Sequence, residues 1–391
     1  MPVDSALLFE LLRKLVAIDS VNCSLVPGAN GEAAAAEFLR DFLAENGIPA
    51  TLEEAAPAGG NSRPNVVARI EPEGARAGDR PALAILAHID TVGAGNMPEP
   101  FTPRERNGRM YGRGALDIKS GVAAMCAAAI AVKQERMALR RPLLIAAVVD
   151  EECNSIGTEA LLRKHSAGAA VVLEPTDLKL VIAHKGYAWF EITTHGRAAH
   201  GSLPGEGRDA IRMMGCVLGA LDSLERELTS RALHTLLGHG SLHASLIEGG
   251  QELSSYPAAC RLKLERRMLP AESAAAAEEE LHAMLLELET HVPEFRATLR
   301  GLGARPGFEI PRDAPVAVTA SQAIREVIGA ADFTGMAAWT DTALLAEAGI
   351  PGVVFGPSGR GLHGADEYVD LDSVRLCAEI LHRLILKLCH A

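Results

Sequence analysis

The chain has 391 residues, which is enough for a large core and, by length, for two domains. Hydrophobic residues make up 48% of it and charged residues 23%, as is typical of a soluble globular protein. The 50 acidic and 38 basic residues give a formal charge of −12, which argues against a nucleic-acid-binding protein because such a protein needs a basic face.

The predicted elements over the first 180 residues alternate helices with short apolar runs. Helices are predicted from a cap near Asp4 or Ser5, over 31–46 and 118–133, and from about residue 157. Apolar runs that predict buried strands cover 64–70, 81–87, 143–149 and 169–173. Runs rich in Val and Ile that are separated by helices are typical of parallel βαβ units. This part of the chain is therefore predicted to be an α/β domain with a mostly parallel sheet.

From about Val181 the pattern changes to strands that alternate with two long helices. The elements, in the order β-α-β-β-α-β, are predicted at 187–194, 208–227, 243–248, 258–266, 272–291 and 295–300. This order over roughly 120 residues is typical of a ferredoxin-like α+β domain. Near Gly303 the earlier pattern resumes and continues to a final helix. We therefore predict a discontinuous domain, 1–180 and 303–391, that carries an inserted domain, 181–302.

Cysteine usage and the N-terminal sequence indicate the compartment. Seven cysteines are scattered through the chain without a Cys-x-x-Cys pair, and most have apolar neighbours, which indicates buried free thiols in a reducing compartment. The first helix lacks the basic segment and the unbroken apolar core of a signal peptide. We see no run of about 18 apolar residues that would cross a membrane. The expected location is the cytoplasm, with neither a membrane nor a nucleic acid as partner.

Acidic and imidazole side chains follow the predicted strands or precede the next elements. They are His88, Asp90, Asp117, Glu151, Glu152, Glu174 and, in a Gly-rich loop near the C-terminus, His363. Ligands of open α/β sheets bind beyond the carboxyl ends of the strands, so these side chains are expected to meet. Massed carboxylates repel one another unless a cation or a shared proton relieves them. Mixed imidazole and carboxylate ligands suit zinc or a similar divalent ion, and we therefore predict a metal site.

Two residues of this set have more specific interpretations. Two metal ions in a hydrolytic site usually share a bridging carboxylate, and Asp117 is the candidate bridge. In the His88-Ile89-Asp90 segment, the carboxylate can accept the second ring N–H of a ligating histidine and thus fix its tautomer. Simpler alternatives remain open: Asp117 can cap the helix that follows it, and Glu151 with Glu152 can form a solvated helix start.

The chain resembles the M20 metallopeptidase and deacylase family in seven segments that occur in the family's order: AHIDTV, GRGALDIKSG, DEE, LEPT, HKG, GRAAHGSLPGEGRDAI and GLHGADEYV. No segment is very specific alone, but seven in this order argue against a chance match, and the resemblance extends over nearly the whole chain. The stretch LEPTDLKLVIAHKG is most similar to the acetylornithine deacetylase branch. The resemblance implies a zinc-exopeptidase-like catalytic domain and an inserted dimerisation, or lid, domain with a ferredoxin-like fold.

The resemblance also implies roles for the residues of the first domain. His88 and Glu174 would bind one metal ion, Glu152 and His363 would bind the other, and Asp117 would bridge both. Asp90 would orient His88, and Glu151 would be the general base that takes a proton from the attacking water and delivers it to the leaving amine. Asp150 is left as a structural or supporting residue.

In the inserted domain the resemblance implies contacts with the substrate. His200 would reach the active site of a partner subunit and stabilise the oxyanion there, so a homodimer is expected. Arg267 would bind a substrate carboxylate with its bidentate fork, although its neighbour Arg266 is equally placed in the sequence. His200 and Arg267 could also be, respectively, part of a turn and a surface charge. Ser254 stands where family members often have an asparagine.

Another departure leaves the substrate side chain open. Acetylornithine deacetylases tend to carry a Cys-Thr-Glu run where this chain has Trp339, Thr340 and Asp341. The predicted function is a hydrolase with two divalent ions, zinc first and cobalt or manganese as alternatives, that cleaves the amide bond of N-acyl amino acids. The alternatives are a carboxypeptidase or dipeptidase with the same site, and a non-catalytic scaffold that binds amino-acid-like ligands. A scaffold would be expected to lack ligands that are all present here.

Overall fold

The computed structural model describes residues 3–56, 62–72, 74, 79–135 and 139–390. The chain divides into two compact units. The first unit comprises Met1–Ile182, Ile310–Thr334 and Thr340–Ala391, and the second comprises Ala183–Glu309 with Gly335–Trp339. The second unit is thus an insertion into the first. Its predicted end at residue 302 lies instead within a strand, because that strand continues to Arg305.

The helices and strands are numbered separately in chain order. The helices are α1 Ser5–Val16, α2 Ala33–Glu45, α3 Ser120–Gln134, α4 Ile156–Leu162, α5 Ala210–Ser230, α6 Ala274–His291, α7 Pro315–Ile328, α8 Thr342–Glu347 and α9 Leu371–Cys389. The strands are β1 Ala50–Glu54, β2 Pro64–Ile70, β3 Leu83–His88, β4 Arg104–Arg106, β5 Arg109–Tyr111, β6 Leu143–Val148, β7 Ala170–Leu173, β8 Leu180–His184, β9 Gly186–His195, β10 Ser241–Gly249, β11 Ala259–Met268, β12 Ala297–Arg305, β13 Phe308–Glu309, β14 Phe333–Met336, β15 Gly352–Phe355, β16 Gly359–Arg360 and β17 Tyr368–Asp370.

The first unit is built on a mixed sheet with a parallel centre. Strands β6, β3, β7 and β15 are neighbours in that order, and each adjacent pair is parallel. Strands β2 and β1 continue the sheet beyond β6 in antiparallel pairs. Every residue of the four central strands is buried, as expected of parallel strands that are covered on both faces. Their carboxyl ends therefore lie along one edge of the sheet, which we call the carboxyl edge.

The second unit has a ferredoxin-like fold, as predicted. Its sheet is antiparallel with the strand order β10-β11-β9-β12, and its elements follow the chain order β9-α5-β10-β11-α6-β12. The apolar faces of α5 and α6 pack on this sheet, with Met214 and Leu281 in the same buried cluster as Ile192. This packing gives the second unit a core of its own.

Helix α3 is the central helix of the first unit. By length and hydropathy, Ala115–Gln134 could cross a membrane, but 94% of its most apolar window is buried inside the protein. All residues from Ser120 to Val132 are buried. The apolar composition is therefore explained by a position in the protein core.

Candidate active site

The structure brings the predicted residues of the first unit together at the carboxyl edge. His88 is the last residue of β3, Glu151 and Glu152 follow β6, and Glu174 follows β7. Among the residues that the structure describes, two groups of side chains are close enough to hold a metal ion, with all their candidate ligand atoms within 4.8 Å of one another. These groups are His88 with Glu151 and Glu174, and His88 with Asp117 and Glu152.

Asp117 lies between two histidines. Its Oδ1 is 3.2 Å from Nε2 of His88, and its Oδ2 is 3.3 Å from Nε2 of His363. Each imidazole also faces one glutamate: Nε2 of His363 is 3.3 Å from Oε2 of Glu152, and Nε2 of His88 is 4.0 Å from Oε1 of Glu174. The result is two histidine–glutamate pairs that share one aspartate.

Asp90 contacts both His88 and the turn after β6 that contains Glu151 and Glu152. Nδ1 of His88 is 3.0 Å from the backbone oxygen of Asp90 and 3.5 Å from its carboxylate. Because a carbonyl oxygen can only accept, Nδ1 carries the hydrogen, and Nε2 is the nitrogen available to a metal. The Asp90 carboxylate also accepts the backbone N–H groups of Glu151 at 3.2 Å and Glu152 at 3.1 Å. Asp90 thus contacts one histidine ring, mainly through its backbone oxygen, and the backbone of two glutamates through its carboxylate.

Asp117 does not cap the helix that follows it, contrary to the simpler alternative. Helix α3 begins only at Ser120, and the residue that precedes it makes no side-chain cap hydrogen bond. Asp117 lies in the turn Ala115–Lys119, which Glu367 holds from the far end of the sequence. The buried Glu367 carboxylate accepts the backbone N–H groups of Leu116 at 2.9 Å and Asp117 at 3.2 Å, and it pairs with Arg113 at 2.6 Å. This leaves the Asp117 carboxylate free to face the two histidines.

The electrostatics of the site favour a bound cation. Burial, and after it the nearby Glu174 carboxylate, raises the pKa of Glu151 well above its ordinary value. Burial also raises the pKa of Glu174, whereas hydrogen bonds with Asp117 and Glu152 raise the pKa of His363 to about 10. Burial opposes ionisation of Asp117, but its hydrogen bonds with the histidines outweigh burial and hold its pKa well below the ordinary range. Carboxylates crowded in a buried site need positive charge beside them.

Two carboxylate oxygens that lack hydrogen-bond partners among the described residues also indicate that the candidate ligands suit a metal ion. Within the part of the chain that the structure describes, Oε1 of Glu152 and Oε1 of Glu174 are buried and have no hydrogen-bond partner. A buried carboxylate oxygen without a partner is costly unless a cation compensates it. Both oxygens belong to the predicted ligands, next to imidazole nitrogens and a shared aspartate, and this combination suits zinc or a similar divalent ion.

Asp341 is a buried acid beside the site. Its position there was not predicted from the sequence. It precedes α8, and its Oδ2 accepts a hydrogen bond from Oγ1 of Thr158 at 2.5 Å. Burial raises its pKa to about 6, and its charge in turn raises the pKa of Glu151 and of Glu174. The Trp-Thr-Asp run was the available signal, but nothing local placed this aspartate near the acids after β6.

The other predicted site residues belong to the second unit. His200 is exposed, and its Nδ1 is 2.8 Å from Oγ of Ser202. Ser254 is also exposed, and its backbone oxygen accepts the N–H of Gly201 at 2.7 Å. The structure places these two residues on adjoining segments, because His200 forms a bridge with Ser255.

Arg266 and Arg267 are adjacent on β11 but differ in environment. Arg266 is buried, and its Nη2 donates to Glu272 at 2.7 Å. Arg267 is one-third exposed; its Nε donates to Glu265 at 2.5 Å, and its guanidinium lies 5.7 Å from the centre of the Tyr187 ring. Of the two, only Arg267 is open to a ligand.

The comparisons with known proteins agree on one family. A sequence profile described as Peptidase family M20/M25/M40 matches residues 84–387. The chain is 29% identical over 395 residues to an acetylornithine deacetylase from Myxococcus xanthus, with 97% of this chain and 96% of that protein covered. The chain therefore belongs to the M20/M25/M40 peptidase family, and it is a metal-dependent hydrolase.

Solved structures of the family share the fold. The crystal structure of a tripeptidase from Staphylococcus aureus subsp. aureus Mu50 matches with a TM-score of 0.81 and 20% identity over 99% of each chain. A dinuclear metal binding peptidase from the M20 family of Bacillus subtilis matches with a TM-score of 0.74 and 17% identity over 98% of each chain. The predicted family, hydrolase class and α/β fold with an inserted ferredoxin-like domain are thus confirmed.

Proposed function

We propose that this protein is a dinuclear metal hydrolase that cleaves the amide bond of N-acyl amino acids. The observation that carries the proposal is the position of Asp117 between His88 and His363, each of which has its own glutamate. The similarity to an acetylornithine deacetylase supports deacylation of an amino-acid derivative. A carboxypeptidase or dipeptidase that uses the same residues is the second candidate, because the structural relatives include peptidases.

The proposed ligands are the two histidine–glutamate pairs with the shared aspartate. His88 and Glu174 would hold one divalent ion, Glu152 and His363 the other, and Asp117 both. Zinc suits this nitrogen and oxygen set, and cobalt or manganese could replace it. Ions bound there would make a water molecule more acidic and polarise the scissile carbonyl group.

Glu151 is the proposed general base. Its carboxylate lies in the group formed with His88 and Glu174, and its raised pKa suits a residue that must accept and then release a proton. We propose that its carboxylate takes a proton from the attacking water and transfers it to the nitrogen of the leaving amine. Asp90 supports this step because it holds the Glu151 N–H and the His88 ring in place.

The second unit is proposed to bind the substrate and to form a homodimer. Strand β10 lies at the edge of the sheet, and Leu246 and Ile247 on it are 64% and 58% exposed. An apolar strand edge of this kind favours pairing with another strand edge. In the dimer, His200 would stabilise the oxyanion in the partner's active site, and Arg267 would bind the substrate carboxylate, with Ser254 beside His200.

The proposed location is the cytoplasm, and the seven free cysteines agree with it.

A substrate panel on metal-depleted and metal-reloaded enzyme tests the proposal. The panel contains N-acetyl amino acids with cationic, anionic and apolar side chains, together with dipeptides that have a free amine. We expect hydrolysis of N-acetyl amino acids after dialysis against a chelator followed by addition of zinc, cobalt or manganese, and none before the addition. Faster cleavage of dipeptides would favour the peptidase. If no metal-loaded form hydrolyses any substrate of the panel, the proposed deacylase and peptidase activities are both contradicted, and a non-catalytic scaffold is favoured.

A further inference from the structure

Arg63 contacts three separate segments of the first unit, one of which contains Asp150, the residue before Glu151 and Glu152. It precedes β2, and only 4% of its surface is exposed. Its Nε donates to Glu32 at 2.9 Å, its Nη1 lies 2.8 Å from Oδ1 of Asp150, and its Nη2 donates to Oδ1 of Asn22 at 3.1 Å. Nη1 also donates to Oγ of Ser24 at 2.6 Å. A planar guanidinium can make these contacts together because its donors point in fixed, divergent directions.

The contact with Arg63 determines which way the Asn22 amide faces. Since the guanidinium donates to Oδ1, the NH2 group of Asn22 points the other way, toward two carboxylates. Nδ2 lies 2.8 Å from Oδ2 of Asp90 and 3.0 Å from Oδ1 of Asp150. A reversed amide would place its oxygen against both carboxylates and its NH2 group against the guanidinium. Arg63 therefore acts on Asp150 directly and on Asp90 through Asn22.

Both aspartates control the position of proposed site residues. Asp90 contacts the His88 ring and accepts the N–H groups of Glu151 and Glu152. Asp150 adopts a φ of 69°, in the left-handed region that non-glycine residues seldom occupy, and the two glutamates follow it directly. We propose that Arg63 is a positioning residue of the metal-dependent reaction, which fixes the His88 ring and the Glu151–Glu152 turn through Asp90 and Asp150.

The directions of these contacts, more than the charge, explain why an arginine is needed at position 63. Glu32, Asp90 and Asp150 are all fully buried, and Arg63 contacts two of them. A lysine would keep one positive charge, but its point-like ammonium could not serve Glu32, Asn22 and Asp150 in these directions at once. Arg63→Lys therefore changes the geometry more than the charge.

The test compares Arg63→Lys with Arg69→Lys. Arg69 lies on β2 and pairs with Glu71 near the surface, so it serves as a matched control. We expect Arg63→Lys to lower the affinity for cobalt, measured by competition with a chelator, by about 10- to 100-fold, as is typical when a residue that supports metal ligands is changed. The absorption spectrum of bound cobalt should also change. With the best substrate of the panel, kcat should fall and KM should stay within about threefold, and the control should match the wild type.

A folded Arg63→Lys protein with wild-type cobalt affinity and spectrum would overturn the inference, even if its melting temperature fell, because Arg63 would then be structural only. If that variant does not fold, Asn22→Ser takes its place. It leaves the contacts of Arg63 with Glu32 and Asp150 but removes the link to Asp90, and an unchanged cobalt spectrum in it would likewise overturn the inference. The inference rests on the proposed metal ligands and not on the substrate. Absence of cobalt binding by the wild type would refute both, whereas a wrong substrate would leave the cobalt results intact.

Discussion

The two units differ in how far each defines its own chemistry. In the first unit His88, Asp90 and Glu174 are buried and belong to one continuous set of contacts. In the second unit His200 and Ser254 are exposed, and the contacts of His200 are with nearby residues of the same loops. This contrast indicates that all the proposed metal ligands lie within the first unit, whereas the proposed roles in the second unit need a substrate or a partner subunit. Mutations in the first unit should therefore have the larger effects.

The largest effect is expected for Glu151→Gln. The amide cannot accept the proton, so kcat should fall by about 10²- to 10⁴-fold. None of the five proposed metal ligands is altered, so the purified variant should keep its metal content, measured by elemental analysis. Glu347→Gln, an exposed glutamate at the end of α8, is the control and should behave as the wild type. If the Glu151→Gln enzyme keeps more than a tenth of the wild-type kcat, Glu151 is not the general base.

A smaller effect is expected for His200→Ala, because an oxyanion donor is lost while the metal site stays intact. We expect kcat to fall by about 10²-fold, as for other oxyanion donors. His195→Ala is the control, since His195 is an exposed histidine of the same unit that contacts Thr298. If His200 acts across the dimer, mixing the inactive Glu151→Gln and His200→Ala proteins should restore activity. About a quarter of the sites should then be intact, since half of the dimers are mixed and each has one complete site.

The mixing experiment needs proof that subunits exchange. Differently tagged proteins, co-purified after mixing, provide it. Recovered activity in the mixed dimers would support a contribution in trans, and no recovery despite exchange would refute it. A His200→Ala enzyme with wild-type kcat would refute the role altogether and would leave the loop around His200 with a structural function only.

The same contrast explains what the sequence could predict. The strand that ends in His88 and the strands that precede Glu151 and Glu174 were predictable, because buried parallel strands appear in the sequence as continuous apolar runs. The polar edge strand β1 was missed, since its residues are only partly buried and lack that signal. The position of Asp117 was also beyond local reasoning, because Glu367, some 250 positions away, holds its turn.

Long-range contacts also limited what the sequence could predict about the residues that support the proposed ligands. Asp150 was predicted to be a supporting or structural residue, and the structure gives it definite partners in Asn22 and Arg63. Neither partner carries a motif that distinguishes it from an ordinary loop residue. Family resemblance could propose ligands because the candidates lie within recognisable segments, whereas the residues that would orient them are defined by contacts between distant segments of the folded chain.

The smallest effect is expected for Arg267→Lys, and it tests whether the second unit binds the substrate at all. A bidentate contact would use the two Nη nitrogens, since Nε donates to Glu265. Lysine keeps the charge but loses the fork, so KM should rise by about tenfold while kcat stays within about threefold. Arg261→Lys, at an exposed position of the same strand, should leave both constants unchanged. The rise in KM should disappear with a substrate whose carboxylate is converted to an amide, because the fork then has no partner. If KM rises equally for the amide, Arg267 acts through its packing on Tyr187 and not through the substrate.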